Sequence, residues 1–130
     1  MIESIDHFVL TVKSLEATLD FYERCLGMRR QITPGRPAAL TFGSQKINVH
    51  QVDKTFEPKA ANPTEGAGDF CLVTIRPLDD VIARLSANGV VVELGPVVRN
   101  GAQGPMRSIY FRDPDGNLVE VSRYPSTATA

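Results

Sequence analysis

The stretch Asp6-His7-Phe8-Val9-Leu10-Thr11-Val12-Lys13 returns about sixty residues later, in weaker form, as Asp69-Phe70-Cys71-Leu72-Val73-Thr74-Ile75-Arg76. An internal repeat of this length forces one supersecondary unit to be built twice, so it constrains the fold more than any other feature of the chain. Each copy alternates like a strand, runs into a short amphipathic helix and stops at a glycine. Lys46-Ile47-Asn48-Val49-His50 closes the first half and Asn117-Leu118-Val119-Glu120-Val121 closes the second. Read this way, the four matching points of the duplication hold His7, His50, Asp69 and Glu120, and all four residue types bind metals.

The chain has 130 residues, enough for one domain with a real core, and a formal charge of −1. No basic stripe or acidic tail is present, which argues against nucleic acid and anionic membrane as partners. The opening Met1-Ile2-Glu3 enters strand-like sequence at once, with no basic or apolar leader. No apolar run approaches the roughly 20 residues of a membrane span. A soluble cytoplasmic protein is the expectation. Cys25 and Cys71 lack CxxC spacing and are expected to be buried thiols.

Phe8, Leu10 and Val12 alternate with His7, Val9 and Thr11, a period of two. Ser14 offers an N-cap oxygen, Leu15, Thr18, Leu19, Tyr22, Cys25 and Leu26 recur at helical spacing, and Gly27 suits the position after the helix. Short strands are predicted over 28–32, 38–42 and 45–52. Residues 53–68, with Pro58, Pro63, Gly66 and Gly68, have the composition of a linker. The second half repeats the order: a strand over 70–76, a helix starting at Pro77 and ending at Gly89, a strand over 90–94, a loop over 99–105, a strand over 108–112, the turn Asp113-Pro114-Asp115-Gly116 and a last strand over 118–123. The tail from Pro125 is expected to fray.

Two βαβββ modules, about 5–52 and 69–124 around the linker 53–68, fit an α+β fold in one domain. A curved, mostly antiparallel sheet would carry helices on one face and enclose a cavity with the other. Phe8, Leu10, Val12, Phe70 and Leu72 are expected under the helices. His7, Val9, Thr11, Asp69, Cys71, Val73, Asn48, His50, Leu118, Glu120 and Ser122 then face the concave side.

These residues resemble a known family. The duplicated unit, the opening Asp6-His7-Phe8-Val9-Leu10-Thr11-Val12, the helix end Phe21-Tyr22-Glu23-Arg24-Cys25-Leu26-Gly27-Met28 and the run Ile109-Tyr110-Phe111-Arg112-Asp113-Pro114-Asp115-Gly116-Asn117-Leu118-Val119-Glu120 resemble the glyoxalase, bleomycin-resistance and extradiol-dioxygenase superfamily, or vicinal oxygen chelate proteins. The resemblance covers about 5 to 124. Phe56-Glu57-Pro58-Lys59-Ala60-Ala61 and the run 108–121 look most like the branch of glyoxalase-domain-containing protein 5. In metal-using members the ligands come from the first and last strands of each unit, which carries the metal-ligand role to His7, His50, Asp69 and Glu120. The family most often has histidine where Asp69 stands.

Taken singly, His7 and His50 read as hydrogen-bonded histidines, Glu120 as a solvent-facing strand residue and Asp69 as a strand-start residue. Together on a repeat they suit zinc, nickel, cobalt, manganese or iron. The resemblance implies a metal-dependent glyoxalase-like lyase or isomerase on a small substrate with vicinal oxygens. The ion would polarise the substrate while Glu120 or Asp69 moves a proton. The alternatives are an iron-dependent extradiol dioxygenase and a non-enzymatic drug-binding protein of the bleomycin-resistance kind. A homodimer is implied, with ligands drawn from one chain or from two. Tyr110 is a candidate for an inward hydroxyl. Arg99 and Arg107 flank a loop, either solvated or clasping an anionic substrate.

Overall fold

The structure, a computed structural model, describes residues 1–125, and the β-α-β-β-β order occurs in it twice. The first module comprises β1 (His7–Val12), α1 (Leu15–Leu26), β2 (Arg29–Gln31), β3 (Ala38–Phe42) and β4 (Gln45–Gln51). The second comprises β5 (Asp69–Val73), α2 (Leu78–Ala87), β6 (Leu94–Gly101), β7 (Gly104–Arg112) and β8 (Leu118–Arg123). Each module forms its own four-stranded sheet, ordered β1-β4-β3-β2 and β5-β8-β7-β6. The first and last strands of a module run parallel and the remaining pairs antiparallel. The α+β expectation of two βαβββ modules with mostly antiparallel pairing stands, the strands being divided between two mixed sheets. The fraying expected of the tail from Pro125 falls, beyond Pro125 itself, outside the described residues.

Local chemistry sets the helix ends. The Ser14 hydroxyl accepts from the Ala17 N–H at 3.2 Å, satisfying one of the donors a helix start leaves open. At the other end Gly27 sits at φ +69°, and the Gly27 and Met28 N–H groups return to the Glu23 and Tyr22 carbonyls. Pro77 stands at the cap of α2, one residue before the position expected, and supplies no capping oxygen. The second module instead caps the first: Arg84 on α2 donates to the Arg24 and Glu23 carbonyls at 2.7 and 3.2 Å. A cation on the C-terminal carbonyls of α1 is favoured by the helix dipole.

Strand parity decides what is core. Leu10, Val12, Ile47, Val49 and Leu40 are buried with Leu19, Tyr22 and Cys25 of α1, and Ile109, Phe111, Val119 and Val121 complete the same cluster from the second module. Phe8 and Phe70 fall at matching points of the repeat and pack on each other, ring centroids 5.0 Å apart. The junction thus joins an element to its own counterpart.

The turn Asp113-Pro114-Asp115-Gly116-Asn117 is tied down by a buried carboxylate. Asp113 accepts from the Tyr22 hydroxyl at 2.7 Å, from the Asn117 side-chain amide at 2.8 Å, and from the Asp115 and Asn117 backbone N–H groups. Asn117 in turn accepts from the Gly68 N–H at 2.7 Å. A methyl group on Gly68 would crowd the Leu10 side chain and Asn117 Oδ1 and displace them, so glycine keeps the linker close at this point. The turn therefore joins α1, the linker and the last strand.

Two expectations for the second module are corrected. Residues 90–93 form no strand, and the strand begins at Leu94. The predicted loop over 99–105 is the end of a long hairpin, with β6 running to Gly101 and β7 starting at Gly104. Glycine and proline read as breakers in sequence, yet Gly104 at φ +113° makes the turn and Gly101 leaves room for Tyr124 and Met106.

Candidate functional site

Strand register decides which polar residues meet. In the first sheet, now sheet A, His7 pairs with Lys46, Val9 with Asn48 and Thr11 with His50. In the second, sheet B, Asp69 pairs with Leu118, Cys71 with Glu120 and Val73 with Ser122. With Phe8 matched to Phe70, His7 corresponds to Asp69 and Val9 to Cys71. The counterpart of Glu120 is then Asn48, and the counterpart of His50 is Ser122. This corrects the repeat as read from sequence, where His50 stood opposite Glu120.

His50 lies four strand positions beyond His7, about 13 Å at ~3.3 Å per residue. Two imidazoles standing side by side on one sheet face cannot span that distance on one ion, given metal–nitrogen bonds of about 2 Å. Asp69 and Glu120 lie only two positions apart, as do His7 and Asn48. Among the described residues of the single chain, no three His, Cys, Asp or Glu side chains lie close enough to hold a metal. The four expected ligands are thus not gathered within one chain. Each sheet carries part of the set.

The His7 ring is half-exposed at the start of β1, and its Nδ1 lies 2.7 Å from Asp6 Oδ1. A carboxylate beside Nδ1 favours the tautomer with the proton on Nδ1, the one a metal-bound histidine adopts. Glu120 is half-buried, and its Oε2 accepts from the Ser122 hydroxyl at 3.2 Å. Asp69 is exposed at the first position of β5. Imidazole and carboxylates together suit a divalent transition metal.

Around Glu120 runs a polar track. Ser122 lies 2.6 Å from the Ser108 hydroxyl and 3.0 Å from the Cys71 thiol. Cys71 sits on the exposed side of β5, against the expectation of a buried thiol; Cys25 is buried as expected. Burial of the sulfur atom, with the Glu120 charge beside it, pushes the Cys71 thiol above its usual range despite the Ser122 hydrogen bond. It is protonated at neutral pH and serves as a donor rather than a nucleophile. Tyr110, paired with Glu120 across β7 and β8, accepts from Arg99 Nε at 2.9 Å through its hydroxyl. Arg99 is thus a strand residue holding Tyr110, and Arg107 is an exposed residue of β7.

His50 is the buried member of the set. The ring lies under the linker, 5.5 Å from Phe56, and its Nδ1 has no hydrogen-bond partner. Burial, with the Lys59 charge adding to it, holds its pKa below the usual histidine value, so the ring is neutral at physiological pH. Asn48 Oδ1 is likewise buried without a partner. Asn48 was readable from sequence once the repeat is anchored on Phe8 and Phe70; the approach of Lys59 to His50 left no sequence signal.

The glyoxalase/bleomycin resistance protein/dioxygenase superfamily model matches residues 4–121. The chain belongs to this superfamily. It is 48% identical over 124 residues to a virulence protein of Salmonella typhimurium, covering 95% of this chain and 86% of that one. The crystal structure of that protein superposes with a TM-score of 0.93 at 47% identity, over 96% of this chain and 99% of the other. A glyoxalase domain-containing protein of Mycosarcoma maydis is 50% identical over 124 residues, 95% of this chain and 69% of that protein. The crystal structure of lactoylglutathione lyase from Agrobacterium tumefaciens matches with a TM-score of 0.70 at 26% identity, covering 94% of each chain. No helix of the described residues is long and apolar enough to cross a membrane.

Proposed function

We propose that this protein is a divalent-metal-dependent lyase or isomerase of the glyoxalase kind, acting on a small substrate with vicinal oxygens. The observation that carries the reading is the Asp6–His7 pair at the start of sheet A, a carboxylate on Nδ1 of the kind that accompanies metal-bound imidazoles. His7, Asp69 and Glu120 would hold the ion, and His50, separated from His7 by register, takes another role. Because the single chain does not gather these ligands, the reading includes a homodimer in which His7 of one protomer meets Asp69 and Glu120 of the other. Val9, Val73 and Leu94, all on the open sheet faces, expose large apolar surface, which a second copy would cover. The likeness to lactoylglutathione lyase supports the reaction class.

When bound, the metal would supply Lewis-acid polarisation of the substrate's oxygens. The chain's own residues do the rest. Glu120, steadied by Ser122, is the carboxylate placed to take and return a proton between neighbouring carbons. Tyr110, held by Arg99, offers a hydroxyl on the same face, and the protonated Cys71 adds a weak donor beside Glu120.

Metal analysis of the purified dimer tests the reading. Near one equivalent of transition metal per protomer is expected, with loss of tight binding in His7→Ala and Glu120→Ala. Unchanged stoichiometry in both variants would refute the site. Conversion of a methylglyoxal–glutathione adduct without oxygen uptake is the expected activity. Oxygen uptake with catechols would instead mark an extradiol enzyme, and absence of metal after supplementation a drug-binding protein.

A further inference from the structure

After β4 the chain reverses tightly, the Lys54 N–H donating to the Gln51 carbonyl at 2.8 Å, and the linker turns back over the far end of β1 and β4. Its other end is pinned where Gly68 donates to Asn117. Between linker and sheet lies a cavity of about 180 Å³, whose lining includes Thr11, His50 and Lys59 together with the hydrocarbon of Val9, Leu10 and Pro63. Its polar residues Thr11 and His50 stand four strand positions from His7, and Val9, two positions from His7, forms its near edge.

The cavity has the chemistry of a built site. His50 is 4% exposed and lines it, with Nδ1 unpaired. A buried polar atom without a partner is costly, so one retained at a cavity wall calls for a ligand atom. Lys59 Nζ bonds the Thr55 hydroxyl at 2.9 Å and the solvent-exposed Glu57 carboxylate at 3.2 Å, which leaves a third N–H. The cavity wall itself carries no carboxylate. Cation, imidazole and hydroxyl in the wall of one cavity, beside hydrocarbon, match a molecule with one anionic end and a short apolar one.

We propose that this cavity binds a short-chain carboxylate, its carboxylate on His50, Thr11 and Lys59 and its hydrocarbon end against Val9, Leu10 and Pro63. The site does not depend on the metal, so it stands or falls separately from the activity proposed above.

Propionate titrated into the chelator-treated full-length protein, at constant ionic strength, is the probe. The readouts are calorimetry and the imidazole resonances of His50. Saturable binding that shifts His50 is expected, with propionamide failing to compete. Lys59→Gln, a change at the linker surface, should weaken it about tenfold or more, the worth of a charge-assisted hydrogen bond; His50→Gln should weaken it too, and His7→Ala should leave it unchanged. No saturation, equal response to propionamide, wild-type affinity in Lys59→Gln, or loss of binding in His7→Ala would each overturn the proposal.

Discussion

The two modules share one scaffold and present opposite chemistry. Both run β-α-β-β-β and pair their first strand parallel to their last. The face of sheet A away from the helices carries His7, Lys46, Asn48 and His50, while that of sheet B carries Asp69, Cys71, Glu120, Ser108 and Ser122. Backbone pairing and the apolar parity beneath the helices tolerate any polar residue on the far face, so duplication preserved the frame and left that face free to diverge. The modules also differ in how their last strand is entered. Sheet A uses a tight Gly43-Ser44 turn, whereas sheet B uses the Asp113–Asn117 knot that holds α1 and the linker.

The knot yields the largest expected effect. Asn117→Ala removes its side-chain bonds to Asp113 and Gly68 and leaves a buried carboxylate short of a donor, which should cost about 3 kcal/mol in urea unfolding. A loss under about 0.5 kcal/mol would show that both modules enter their last strand with equal ease. Asp6→Asn tests the half-site proposed for sheet A. It should weaken metal affinity about 10- to 100-fold with little change in fold, because the partner that orients His7 loses its charge.

The buried imidazole of sheet A should give the next effect. The unfolded chain titrates His50 near about 6.5, whereas the folded chain holds it lower. Below that pH the unfolded state takes the proton first, so stability is complete above it and falls as pH drops through the window beneath it. Melting temperatures between pH 7 and pH 5 should decline, and His50→Gln should remove its one-proton share of the slope; an identical slope in the variant would place the imidazole in solvent. Smallest of all, Glu93→Gln breaks an exposed pair with Arg112 in the second module and should leave melting unchanged within error.

Much of this was legible before any coordinates. Ser14 and Gly27 bounded α1 because a cap oxygen and a left-handed residue are local requirements. The alternation of Phe8, Leu10 and Val12 indicated the core face for the same reason. The hairpin from β6 to β7 was misread because Gly101 and Gly104 look like breakers until the space beside Tyr124 is known. Among the candidate ligands, His7, Asp69 and Glu120 were proposed from residue type and repeat. The place of His50 was not, since an error of two in matching the closing strands leaves it on the same face while moving it about 7 Å.

By itself, the sequence determined the duplication, the two helices and the ends of α1, the buried faces and the family, because each is written in spacing along the chain. Only the tertiary structure decided that Asn48 answers Glu120, that His50 lies under the linker beside Lys59, and that one chain divides its candidate ligands between two sheets. Those outcomes depend on strand register and on the path of a linker, which are set by contacts between residues far apart in sequence.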